Sequence, residues 1–264
     1  VLWLVTTAGT FGIFQLYRVL LTGSGMWHTR EAEGLPSVHL SDGPHGLRKQ
    51  EEKERQNNVS LVSTCYPTAS ALACSWDVTA AERLGRAVAK EAWNADVAVL
   101  LGPGINMKRS PLCGRNFEYF SEDPFLAGRL GAAYVSAAQG ENVAVSLKHF
   151  AANNQETNRQ TSNSQIDERA LREIYLSAFE YVVKTARPAT IMASYNRLNG
   201  YYACENRHLL TEILREEWGF DGVVISDWGA CADLAKAVKA GMDLEMPDSH
   251  GIHARKLKAA LKAG

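Results

Sequence analysis

Asp221-Gly222-Val223-Val224-Ile225-Ser226-Asp227-Trp228 runs from a glycine turn through a short β-branched segment to a carboxylate and then an indole. A run this short and apolar, bounded by glycine, predicts a buried strand. An ionised acid at the end of such a strand is costly unless it faces a cavity or a partner. An aromatic beside it suits the wall of a sugar-binding pocket. Asp227 is therefore the first candidate for a catalytic nucleophile.

The same unit repeats upstream and downstream. Strands are predicted over Ser37–Leu40, ending at Asp42, and over Val97–Leu101, closed by Gly102-Pro103-Gly104. Others follow over Val143–Leu147, ending at Lys148-His149, over Ala189–Ser194, ending at Tyr195, and over Asp243–Met246. Helices fall between them. Asp77 caps a helix with Ala81, Leu84, Val88 and Ala92 on one face. Asp123-Pro124 opens another, with proline in its first turn. Asp167 caps a third, with Leu171, Ile174, Ala178 and Val182 inward, and Asn206 caps a fourth, with Leu210, Ile213, Leu214 and Trp218 inward and Gly219 as its stop. A last helix is predicted over Gly251–Leu261.

Alternating strands and helices of this kind imply parallel strands with crossover helices. No G-x-G-x-x-G follows a strand and no G-x-x-x-x-G-K-[ST] occurs, which argues against an open nucleotide-binding sheet. Polar residues recur where strands end: Asp42, Lys148-His149, Tyr195 and Asp227. In a barrel these converge on one rim. The α/β fold expected is thus a (β/α)8 TIM-type barrel.

With 264 residues, 46% of them hydrophobic, the chain is long enough for one barrel core. A net charge of −1 supplies no field for nucleic acid or an anionic membrane. The mixed charges from Arg48 to Arg55 read as a solvated loop. Cys65, Cys74, Cys113, Cys204 and Cys231 form no C-x-x-C pair, so buried reduced thiols and a cytoplasmic location are expected. Asn58-Val59-Ser60 is a glycosylation sequon of the kind that arises by chance. His250 and His253 fit no zinc spacing and read as solvated, and no metal or redox cofactor is called for. Residues 1–26 are an atypical, largely apolar segment without a basic leader pattern.

The loop from Pro103 to Pro124 is long for a strand-to-helix connection, which is a mark of function. Arg115 has the fork to hold two hydroxyls of a polyol, and Glu118 the charge to hold that fork still. Lys148 and Arg115 near Asp227 are expected to keep it ionised.

Four segments carry a more specific likeness: Ser41-Asp42-Gly43-Pro44-His45-Gly46-Leu47-Arg48, Gly114 to Pro124, Lys148-His149-Phe150, and Ile225-Ser226-Asp227-Trp228-Gly229. With Pro67-Thr68-Ala69 and Ala193-Ser194-Tyr195-Asn196 they resemble, in order, the signature segments of glycoside hydrolase family 3, its β-glucosidase-type members above all. The resemblance implies a (β/α)8 barrel over residues 27–264, with an irregular or missing first strand. It implies a retaining hydrolysis of β-linked glucosides or oligosaccharides in which Asp227 forms the glycosyl-enzyme intermediate. Asp42, Arg115, Lys148 and His149 would hold the sugar hydroxyls. Tyr195 would stand beside the nucleophile, Trp228 would wall the pocket, and Met192 would line it.

Members of this type carry the acid/base glutamate on a carboxyl-terminal sandwich domain, and no match to that domain precedes Gly264. The acid is therefore expected from elsewhere: from that missing domain, or from a dimer mate in a larger assembly. Phe150 is followed by Ala151-Ala152-Asn153-Asn154, not by the histidine segment of the β-N-acetylglucosaminidase branch. Residues 1–22 lack the acidic helical segment usual before Trp27. Two other readings stay open on the residues: a non-catalytic sugar-binding barrel, and a Schiff-base lyase using Lys148.

Overall fold

The computed structural model describes residues 23–24, 26–31, 36–43, 45–50 and 59–263. Most of the 1–26 segment, Asn58 of the sequon and most of the Arg48–Arg55 run lie outside the described residues.

Five strands form one parallel sheet. In chain order they are β3 (Leu40–Asp42), β4 (Val99–Leu101), β5 (Ala144–Phe150), β7 (Thr190–Ala193) and β10 (Val223–Ser226), each paired with the next, while β6 (Asn163–Ser164), β8 (Arg197–Leu198) and β9 (Tyr201–Tyr202) form a small separate sheet. The segment predicted as a last strand, Asp243–Met246, continues the sheet only through a parallel bridge from Leu244 to Ile225. The physical reason lies at Val224. Its N–H goes to the Asp243 carboxylate at 2.7 Å instead of to a backbone carbonyl, which interrupts a regular ladder.

Two apolar clusters separate the inside of the sheet from its outside. Leu40, Leu101, Met192, Ile225, Leu244 and Met246 share one cluster. The two ends of the strand order are joined through Trp27, which bonds to Leu40 and packs on Trp228, so the sheet curls into a barrel with alternate residues inward. Leu100, Val145, Leu147, Ile191 and Val224 point the other way, into the larger cluster under the helices. The gap beside β3 is filled by the hairpin β1 (Gly23–Ser24) and β2 (His28–Thr29), running antiparallel to His39. Trp27 accepts from Leu40 N at 2.8 Å on one side and stacks on Trp228 at 5.1 Å on the other. An antiparallel hairpin thus stands where a regular barrel has a parallel first strand, in line with the irregular start expected.

The helices form where their caps place them. Asp77 accepts from Thr79 N at the head of α1 (Val78–Asn94), and Asp123 from Phe125 N and Leu126 N at the head of α2 (Pro124–Gln139). These two pack closely because Gly85 has no side chain: a Cβ there would sit 2.5 Å from the Tyr134 carbonyl oxygen. Asp167 caps the next helix as predicted, but a π-helical turn at Leu171–Tyr175 precedes α3 (Ser177–Ala186). The extra residue per turn rotates the face. Ile174 is left 36% exposed, and Leu176 takes its place in the core. The segment His208–Glu217 is wound as a π-helix as well, with Leu209, Leu210, Ile213 and Leu214 buried and Asn206 accepting from Leu209 N. Gly219 ends it at φ +73°, the left-handed region that glycine enters without steric cost. The last helices are α4 (Leu234–Ala240) and α5 (Ile252–Ala263). None among the described residues is long and apolar enough to cross a membrane.

All five cysteines are free, but Cys65 and Cys74 are exposed, contrary to the expectation of buried thiols. Both flank the short helical turn Ala69–Ala73, whose outer side is open to solvent.

Candidate active site

The carboxyl ends of the strands surround a cavity of about 370 Å³. That lies within the range of roughly 300–1,000 Å³ usual for small-molecule sites. Asp42, Arg115, Lys148, Met192, Tyr195, Asp227 and Trp228 all line it. The sequence reading brought these seven together.

Asp227 sits one residue past β10. Its N–H donates to the Ala193 carbonyl at 3.0 Å, so the sheet still grips its backbone. Oδ1 accepts from Trp228 N at 2.7 Å. Oδ2 is buried and accepts no hydrogen bond among the described residues. Its nearest cation is Arg115, with Nη1 at 3.9 Å. Burial raises the Asp227 carboxyl above its ordinary range, against the pull of Arg115 and Lys148. The two cations thus act in the direction expected of them, favouring the ionised form, and offset part of the desolvation. A carboxylate with one oxygen fixed by a donor and the other accepting none keeps a lone pair of that second oxygen free for an electrophile.

Arg115 enters from the long loop between β4 and α2. Its Nε is bonded to Glu118 Oε1, and its Nη2 lies 2.7 Å from His149 Nε2. Glu118 is buried and also faces Lys148 Nζ at 3.7 Å, so one carboxylate balances two cations. Burial alone would raise Glu118, but Lys148 and Arg115 outweigh it and hold the carboxyl below its usual range. Lys148 has Asp42 Oδ1 at 3.5 Å on its other side. Asp42, at the end of β3, is the more exposed partner and reaches into the cavity.

His149 is placed differently from its neighbour. The pairing of β5 with β7 shifts register between Leu147 and Phe150, which lets Lys148 and His149 both turn toward the site. The imidazole itself is fully buried behind Arg115 and is not among the cavity's lining residues. Burial, then Arg115 and Lys148, drive its pKa well below the usual value, so the ring is neutral. A guanidinium can only donate, so Nε2 accepts from Arg115 and the proton sits on Nδ1, 3.0 Å from the Tyr119 hydroxyl. The Asn106 side chain clasps the His149 backbone at both N–H and carbonyl, at 2.7 and 2.8 Å. In this arrangement His149 orients Arg115.

Tyr195 donates its hydroxyl proton to the Trp228 carbonyl at 2.9 Å, which leaves Asp227 Oδ2 uncapped. Burial and then Asp227 raise the phenol's pKa, so it stays protonated. Trp228 is fixed by its Nε1–H, which donates to the Met26 carbonyl at 2.8 Å. Sequence reasoning missed Trp27, Arg48, Gln50 and Arg159, which also line the cavity. Arg159 stacks over the Tyr195 ring at 4.2 Å and is paired with Glu156 at 2.7 Å. Its position in the segment after β5 gave no periodic or motif signal.

The profile of the glycosyl hydrolase family 3 N terminal domain matches residues 44–264, most of the chain. The chain belongs to glycosyl hydrolase family 3. Within the family, it is 53% identical over 249 residues to a protein of Acetivibrio thermocellus named thermostable beta-glucosidase B, covering 93% of this chain and 33% of that one. It is 50% identical over 236 residues to an exo-alpha-(1->6)-L-arabinopyranosidase of Bifidobacterium longum, covering 88% and 31%. Among solved structures, beta-glucosidase 3B of Thermotoga neapolitana in complex with alpha-D-glucose superposes with a TM-score of 0.89 at 38% identity, covering 99% of this chain and 39% of that one. The chain therefore spans about a third of the length of the curated relatives it matches. The solved family 3 relative shares the barrel described above.

Proposed function

We propose that this family 3 chain forms the nucleophile half of a retaining β-glucosidase site. One observation carries the reading: Asp227 presents a buried, uncapped oxygen to a cavity between Arg115, Lys148 and two indoles. Oδ2 attacks the anomeric carbon as the bond to the leaving oxygen breaks, and water later cleaves the glycosyl ester with net retention. Arg115 and Lys148 donate to the sugar hydroxyls, Asp42 accepts from them, and Trp228, Trp27 and Met192 cover the apolar faces of the ring. Lys148 is held between Asp42 and Glu118, an arrangement that suits a fixed donor better than an imine-forming amine.

The leaving oxygen needs a proton. The only carboxylates lining the cavity among the described residues are Asp42 and Asp227, and Asp42 is engaged with Lys148. We infer that the acid comes from outside the described residues, as from a further domain or a second chain. The greater length of the relatives is consistent with a further domain.

The test is chemical rescue. Asp227→Ala with an activated aryl β-glucoside and added azide yields the α-glucosyl azide if the wild type is retaining and Asp227 is its nucleophile. A β-azide, or azide rescue at another carboxylate variant and not at this one, overturns the assignment. Aryl α-L-arabinopyranoside in parallel decides which pyranose the pocket prefers.

A further inference from the structure

Cys231, Glu245 and His253 converge outside the cavity, from three separate elements. Cys231 lies in the turn after Asp227-Trp228, Glu245 in the segment beside β10, and His253 in the first turn of α5. Their ligand atoms, a thiol sulfur, a carboxylate oxygen and an imidazole nitrogen, all lie within 4.8 Å of one another. Cys231 and Glu245 are buried. Glu245 Oε1 already contacts His253 Nδ1, and Ser249 Oγ donates to Oε2 at 3.5 Å, so both carboxylate oxygens are oriented.

We propose that this trio is a zinc site. Metal–ligand bonds of about 2.0–2.3 Å place the ligands of a tetrahedral zinc ion roughly 3.3–3.8 Å apart. Small side-chain rotations reach that spacing from the present one. The donor set of thiolate, imidazole and carboxylate is the borderline-soft mixture that zinc prefers. Charge agrees with it. A dication with one thiolate and one carboxylate is neutral, the form a buried site tolerates. The nearby carboxylates are otherwise occupied: Glu205 accepts from Asp233 N at 2.9 Å, and Asp233 caps α4. Binding replaces the thiol proton of Cys231, which leaves to solvent, and the fourth position is open to water. The ion then pins the turn that follows Trp228 to the head of α5. Spacings of 14 and 8 residues match no zinc motif, which is why the sequence read His253 as solvated.

Cobalt(II) reports the site directly, because a thiolate ligand gives a near-ultraviolet charge-transfer band. One equivalent of Co²⁺ added to the purified, reduced protein is expected to give that band, and X-ray absorption a first shell of one sulfur with nitrogen and oxygen. Zinc is expected to displace the band. It should also raise the unfolding midpoint by at least about 5 °C at a hundredfold excess over its dissociation constant. Cys231→Ser and His253→Gln abolish the band, and Cys65→Ser/Cys74→Ser, which removes the two exposed thiols, keeps it. A shell without sulfur in the wild-type protein overturns the proposal whatever the variants do. So does a band lost in Cys65→Ser/Cys74→Ser.

Discussion

Replacing Glu118 by Gln removes one charge and almost no volume from the centre of the site. The carboxylate balances Arg115 through a hydrogen bond and Lys148 at 3.7 Å, and its side chain is 3% exposed. With an effective dielectric of about 20, Coulomb's law gives roughly 4.5 kcal/mol for the Lys148 contact alone. Relief of the desolvation of Glu118 offsets part of that. Breaking a buried pair typically costs about 3–5 kcal/mol, because a charge is left without its partner. For a chain of this size the midpoint is then expected to fall by about 6–20 °C at neutral pH. The pH dependence identifies the cause. The folded-state carboxyl of Glu118 is held low by Lys148 and Arg115. Its contribution is therefore complete above the ordinary carboxylate range and is lost as pH falls through the lowered folded value. Urea unfolding of wild type and Glu118→Gln across that range should show a gap that closes in acid. A gap under about 1 kcal/mol at neutral pH, or one that does not close, refutes the reasoning.

Asp227→Asn acts in the opposite sense. Burial raises this carboxyl in the folded state, so its ionisation weakens the fold as pH rises through the raised value. The variant is expected to be more stable than wild type at neutral pH, equal to it in acid, and inactive; a lower midpoint at neutral pH contradicts this. Gly85→Ala places a methyl group 2.5 Å from the Tyr134 carbonyl and should cost about 1–3 kcal/mol by separating α1 from α2, measured by urea unfolding. General acid help is worth about 10²–10⁴ in rate, so without it an activated aryl glucoside should exceed cellobiose by that order; equal kcat/KM for both places the acid within this chain.

Residues whose local chemistry is self-contained were legible in the sequence. Asp77 and Asp123-Pro124 announce helix starts because a cap needs only the next few residues. Asp42, Lys148 and Asp227 announce a rim because each ends an apolar run. What escaped depends on contacts distant along the chain. The π-helical turn at Leu171–Tyr175 has no period of its own and changes which residue meets the core. His149 looks like a hydroxyl ligand beside Lys148, yet Arg115 and Tyr119, more than 29 positions away, enclose it. Trp27 reaches Trp228 across 201 positions, and no pattern in either neighbourhood signals that contact.

The most direct measurement is intact-protein and peptide mass spectrometry after reaction with a 2-deoxy-2-fluoro-β-glucosyl inactivator bearing a good leaving group. The fluorine slows breakdown of the ester, and the activated leaving group needs no acid. One fluoroglucosyl unit per chain, carried by the peptide that contains Asp227 and lost in Asp227→Asn, is the expected result. A label on any other residue, or undiminished labelling of that variant, contradicts the account.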